Sequence, residues 1–240
     1  MSNTQKIQWK RLSVEGVAIV TSILLAFAID AWWDNRHERI EERRILESLK
    51  AEFLSNAELI PSYIEGHRRS ADYTWALLDA MKAAEPGGTI RYPAAKFIHV
   101  LEHSSTDPQR GALDAILQSG ELRYVTNPAI RERLAAWPRL VVDATENEYL
   151  LRDLWGPKLL EALAKDVDLT IIGDVDDTCW EDPTVEQCAA IEISLPRNTE
   201  VMAYLYQIGS YADEGVRELG ILVEEANDIV ILINQELATP

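Results

Sequence analysis

Two cysteines, three phenylalanines and three methionines are spread over 240 residues, and the short signatures that announce chemistry are missing. The chain has no G-x-S-x-G elbow, Walker loop, G-x-G-x-x-G turn, C-x-x-C pair or H-E-x-x-H. Each of those patterns places a nucleophile, a phosphate cradle or a metal at a fixed spacing, so their absence leaves no motif-borne active site. Forty Asp and Glu residues make chance proximity of two carboxylates inevitable, and no glycosidase-like pair is inferred. The expectation is a non-enzyme with no cofactor and no metal.

Positive charge is also scarce. Twenty-three Lys and Arg against forty acids leave a formal charge of −17, without the basic footprint that holds phosphate backbones, so nucleic acid is not expected as a partner. An acidic surface is repelled by anionic headgroups, so the bulk of the chain should stand off a membrane surface.

Long apolar runs are absent with one exception. Residues 14–33, V-E-G-V-A-I-V-T-S-I-L-L-A-F-A-I-D-A-W-W, make roughly 30 Å of helix, the thickness of a bilayer's hydrocarbon core. Ser13 is a candidate N-cap and Glu15 suits the positive end of the helix dipole. Trp9 precedes the run and Trp32 and Trp33 close it, as interfacial aromatics do. A-F-A at 26–28 also resembles a signal-peptide cleavage site, but the helical pattern runs on through Trp33. I-V-I-L-I at 229–233 is too short to span and reads as core.

Flanking charge does not orient the span. Lys6, Lys10 and Arg11 stand on one side and Arg36, Arg39, Arg43 and Arg44 on the other, where acids are interleaved. A short basic tail followed by a long domain favours residues 1–13 in the cytoplasm, 14–33 in a bacterial inner membrane and a helical domain, 34–240, in the periplasm. Cys179 and Cys188 fit that placement. Nine positions apart around Pro183, they can close a small disulfide loop in an oxidising compartment, the alternative being two unrelated buried thiols.

The fold class expected is all-α, with the span continuing as a stalk into a helical bundle. Leu46, Leu49, Phe53, Ala57 and Ile60 recur at helical spacing after a neck, R-H-E-R-I-E-E-R-R, charged on nearly every face. Pro61 should bend or end this helix, and a second should cover 62–84 until P-G-G at 86–88. T-I-R-Y-P reads as extended, and 94–103 and 111–119 read as short helices, the latter capped by Gly120. Asn127 and Pro128 open another, which Pro138 should kink or interrupt, with helix resuming over 140–164. Residues 166–197 read as an acidic loop region, irregular or forming a small hairpin. A last helix spans about 199–237, its apolar stripe Leu222, Ala226, Ile229, Ile233 and Leu237, with Gly209, Gly215 and Gly220 marking a bend or a close helix contact.

Two stretches together carry a resemblance. The run I-L-L-A-F-A-I-D-A-W-W-D-N-R with its continuation E-R-I-E-E-R-R-I-L-E-S-L-K-A-E-F, and A-I-L-Q-S-G-E-L-R-Y-V-T-N-P-A-I-R-E-R-L at 115–134, resemble a family of small bacterial single-pass membrane proteins of unknown function. The resemblance implies an N-terminal anchor and a helical extracytoplasmic domain. It implies no active site, and it does not extend to the cysteine-containing region.

Three constellations remain. His99 and His103 are four apart, one face of a helix, but no third metal ligand is evident, and surface or partly buried histidines are the better reading. Asp166, Asp168, Asp174, Asp176 and Asp177 offer hard oxygens without calcium-loop spacing, so a solvated acidic loop is expected. Ala18, Ser22, Ala26 and Asp30 fall at successive i+4 positions and form a small-residue stripe within the span, ending in an acid; such stripes let helices approach closely. The expected role is a non-enzymatic accessory or scaffolding subunit, its partners the lipid bilayer and integral membrane subunits of a larger complex. A periplasmic ligand-binding or sensor module is the alternative, marked by an apolar pocket with convergent polar groups, and a periplasmic hydrolase is third.

Overall fold

A computed structural model describes residues 9–102 and 105–239. The expectations placed on residues 1–8, on the Trp9 indole and on His103 lie outside the described residues. The rest is all-helical except for one two-stranded sheet.

Helix α1 (Trp9–Ala83) takes 75 residues, about 110 Å of rod. Two expected boundaries are corrected. Ser13 lies inside the helix, which is already formed at Trp9, and α1 passes through Pro61 to absorb the expected second helix. Proline removes one backbone donor and crowds the carbonyl four residues back. Here it sits on the exposed face, where water can serve that carbonyl, while buried Ile60 and His67 on either side are held by the domain. Packing outweighs the local preference.

Short elements follow: β1 (Thr89–Pro93), α2 (Ala94–Val100) and α3 (Gly111–Ser119). Then come α4 (Pro128–Leu154), a π-helical turn (Trp155–Leu160), α5 (Glu161–Leu163), α6 (Thr178–Glu181), β2 (Glu192–Pro196) and the 40-residue α7 (Thr199–Ala238). Asn127 caps α4 by accepting from the N–H groups of Ala129 and Ile130, with Pro128 in the first turn. Gly120 closes α3 in the left-handed conformation, φ 73°. Pro138 stays inside α4, next to buried Trp137, which packs edge-on against Phe53 at 4.7 Å.

The long helices form a three-helix bundle. Trp75 donates to Asp213 of α7 at 2.9 Å, whereas Ile40 and Leu46 share a cavity wall with Leu237, so α7 runs antiparallel to α1. Thr126, just before α4, bonds to Glu42, and Glu148 near its end lies beside His67, so α4 runs parallel to α1. The end of α1 and the start of α7 therefore meet at the distal end of the bundle. There β1 pairs antiparallel with β2, Thr89 opposite Pro196 and Pro93 opposite Glu192. Of the two forms expected for 166–197 the hairpin does not form: β2 takes its partner from about a hundred residues upstream.

Two cores divide the bundle. The proximal one gathers Leu46, Phe53, Ile130, Trp137, Leu222 and Ile229; the distal one gathers Leu77, Met81, Phe97, Leu159, Leu195 and Leu205. Between them α1 buries His67, Ser70 and Thr74, and α7 answers with Gly209, Ala212 and Gly215, also buried. A Cβ on Gly209 would lie 2.7 Å from the Trp75 ring, and one on Gly215 would lie 3.2 Å from His67 Nδ1. Both glycines mark the close contact expected for them.

Other buried polar groups of α1 serve the backbone beside them. Glu52 accepts the N–H groups of Ala112 and Leu113 at 2.6 and 3.1 Å, capping α3, whose own N-cap residue supplies no side-chain bond. Asn56 exchanges two 2.7 Å bonds with the Gln109 backbone, and Glu42 accepts both the N–H and the hydroxyl of Thr126. Helix starts leave orphan N–H groups that must find acceptors, and a carboxylate is a strong one.

Replacing Glu52 by Ala strands two donors at a buried helix start and should cost about 2 kcal/mol, with early loss of hydrogen-exchange protection at Ala112 and Leu113; unchanged protection there would refute the capping role. Gly209→Ala should cost about 1–3 kcal/mol through overpacking against Trp75. Gly220→Ala, with nothing within 4 Å of the added methyl, should be neutral or stabilising by about 0.5–1 kcal/mol, and urea titrations of the two variants give the comparison.

Candidate functional site

Two regions qualify. In the first, the apolar stretch of α1 is long and apolar enough to cross a membrane, and none of it is buried by the rest of the chain. Ala18, Ser22, Ala26 and Asp30 are all exposed, with no other element among the described residues covering them. The Ser22 hydroxyl donates to the Ala18 carbonyl at 2.8 Å, which hides its polarity within the helix. Trp32 and Trp33 stand exposed, and the Arg36 guanidinium lies 6.0 Å from the Trp32 ring. Burial begins about two turns later, at Glu42. A cavity of about 430 Å³ lies there between Arg36, Arg39 and Arg43 of α1 and Glu236 and Leu237 of α7.

The second region lies at the distal end, around α2. His99 is 2% exposed, which corrects the surface or partly buried reading. Its Nδ1 is 2.7 Å from a Glu102 carboxylate oxygen, and its ring stacks on Tyr73 of α1, centroids 5.2 Å apart. Arg69, also on α1, donates twice to Glu102 at 3.2 and 3.0 Å. Burial pushes the Glu102 carboxyl up, but the hydrogen bonds from His99 and Arg69 outweigh it and hold the group below the ordinary carboxylate range. Burial pushes the neighbouring Tyr92 phenol up to about 12, with Tyr73 adding to it.

Beside this assembly opens a cavity of about 500 Å³, lined by Ile98, His99, Leu101, Glu102, Trp155, Ile172 and Trp180. Its walls come from four places. Trp155 begins the π turn W-G-P-K-L-L, where Pro157 cannot donate to the helical ladder and the helix widens. Ile172 belongs to a 3₁₀ stretch, Leu169–Asp174. Trp180 sits on α6, next to Cys179, which is bonded to Cys188 across a Cα–Cα distance of 5.5 Å. The disulfide packs on Ala94, Ala95 and Ile98 of α2 and so fixes the Trp180 wall.

The acidic stretch is put to local use. Asp168, Asp176 and Asp182 each accept both the N–H and the hydroxyl of the threonine two residues on, Thr170, Thr178 and Thr184. Those bonds hold all three carboxyls below their ordinary value. Among the described residues no three His, Cys, Asp or Glu side chains converge as metal ligands, so the acids are spread along the loop as turn-makers.

Sequence reasoning did not single out Trp155, Trp180 or Glu102. The triple D-x-T spacing, and G-P inside a helical run after a tryptophan, were the available signals. Comparison of the chain with protein-family models, with curated proteins and with solved structures finds no match.

Thiol labelling of the denatured chain should find no reactive cysteine without reductant and two after reduction. Acid provides a second check. Because the Glu102 carboxyl titrates lower when folded than its ordinary 4.5, its contribution is complete above that value and is lost as pH falls through the lowered one. Glu102→Gln should therefore flatten the acid limb of the stability profile in that window and leave its shape at neutral pH unchanged; an identical acid limb would contradict the assignment.

Proposed function

We propose that the chain is a non-enzymatic, single-pass accessory or scaffolding subunit of a larger bacterial inner-membrane assembly. Residues 14–33 anchor it, residues 1–13 lie in the cytoplasm and residues 34–240 stand in the periplasm. Respiratory and photosynthetic complexes are assemblies of this kind.

One observation carries the reading. Among the described residues none of the apolar stretch is buried by the rest of the chain, yet it belongs to the same unbroken helix that forms one third of the bundle. A stretch that is apolar on every side needs lipid or another protein around it. Because the helix continues without a hinge, a neighbour that engages the Ala18, Ser22, Ala26 and Asp30 face also sets where the domain stands. The disulfide supports the periplasmic placement, since such bonds persist in oxidising compartments. The exposed Trp32 and Trp33 beside Arg36 support a membrane boundary at that level.

Ala26→Leu should reduce co-purification of integral membrane partners several-fold in mild detergent while leaving membrane insertion intact. A wild-type protein that runs only as a small monomer under those conditions would overturn the proposal.

A further inference from the structure

The cavity beside the disulfide loop has a property that a docking subunit does not require. We propose that it is a binding site for a small, neutral, largely aromatic molecule bearing one hydroxyl or N–H group, which donates a hydrogen bond to Nε2 of His99.

The volume, about 500 Å³, falls within the range of small-molecule sites, and the lining has their composition: apolar walls with few polar groups. Trp155 and Trp180 present indoles, and Ile172 lies with them on the wall. Flat rings bury most area against flat partners, which selects an aromatic body.

The polar end selects the rest. The Glu102 carboxylate can only accept, from Arg69 and from the nitrogen it faces, His99 Nδ1, so Nδ1 carries a proton and, in the uncharged form of the ring, Nε2 presents a lone pair. Arg69 already balances the Glu102 charge, so a charged ligand would find no free counter-ion there. His99 Nε2 is buried and has no hydrogen-bond partner among the described residues. An orphan acceptor in a low-dielectric site is costly, and a ligand donor removes that cost. The ring cannot easily turn away, because Tyr73 stacks on it and Glu102 holds its other nitrogen. The acceptor is therefore already oriented before binding.

The experiment uses the full chain in phosphatidylcholine nanodiscs, titrated with 2-naphthol and with 2-methoxynaphthalene, which matches it in shape but cannot donate. Indole N–H signals of Trp155 and Trp180 report binding, and empty nanodiscs correct for partitioning into lipid. Expected are saturable shifts of those two signals, with 2-naphthol binding about ten-fold more tightly than the ether. His99→Phe should abolish the difference between the probes. Trp180→Ala, on the half-exposed side of the loop, should weaken both while the remaining indole signals stay dispersed as in the folded protein. Equal affinities for the two probes in the wild-type chain, the absence of saturable shifts, or shifts confined to Trp32 and Trp33 would each overturn the proposal.

Discussion

The long first helix works because its buried polar side chains are spent on other segments' backbones. Glu42, Glu52 and Asn56 supply acceptors and donors to Thr126, Ala112, Leu113 and Gln109. The stretch between α2 and α4 has too little helix of its own to satisfy those groups. An apolar α1 would leave them orphaned, at about 1–3 kcal/mol for each buried donor, and the side wall of the bundle would have nothing to stand on. The same arrangement fixes register: α4 can begin only where Thr126 reaches Glu42.

A second constraint follows from the polar waist. His67, Ser70 and Thr74 occupy the seam where two hydrophobic cores could otherwise have merged, and α7 meets them with its smallest residues. Close approach there brings the end of α1 against the start of α7, which in turn brings β1 to β2 and seats α2 beside the disulfide loop. The distal cavity is thus a product of helix packing some distance away. Its polar corner, Arg69 to Glu102 to His99 under Tyr73, is held from α1 and α2 together.

Features set by neighbouring residues were legible in the sequence. Asn127 before Pro128, Gly120 after α3, the stripe from Leu222 to Leu237 and the cysteine loop all behave as their local chemistry demands. Pro61 and Pro138 do not end their helices, because the cost of each, about 3 kcal/mol, is outweighed by the summed burial of the apolar residues along the same helices. Pairing of β1 with β2 was illegible for a different reason: nothing in T-I-R-Y-P names a partner a hundred residues on. The cavity draws on residues 98 to 180 from four elements, so no window along the chain contains it. His99 was noticed for its spacing to another histidine, whereas Glu102, one turn away, is the described residue that holds its Nδ1.

With residues 14–33 in a bilayer, the continuity of α1 has a mechanical consequence. The part of the rod beyond Trp33 reaches about 75 Å, and membrane helices tilt by amounts that vary with bilayer thickness and with their neighbours. A change of 10° in tilt would swing the far end sideways by about 13 Å, as simple trigonometry on that length requires. The molecule is in this respect a lever whose short arm is the span and whose long arm carries the cavity.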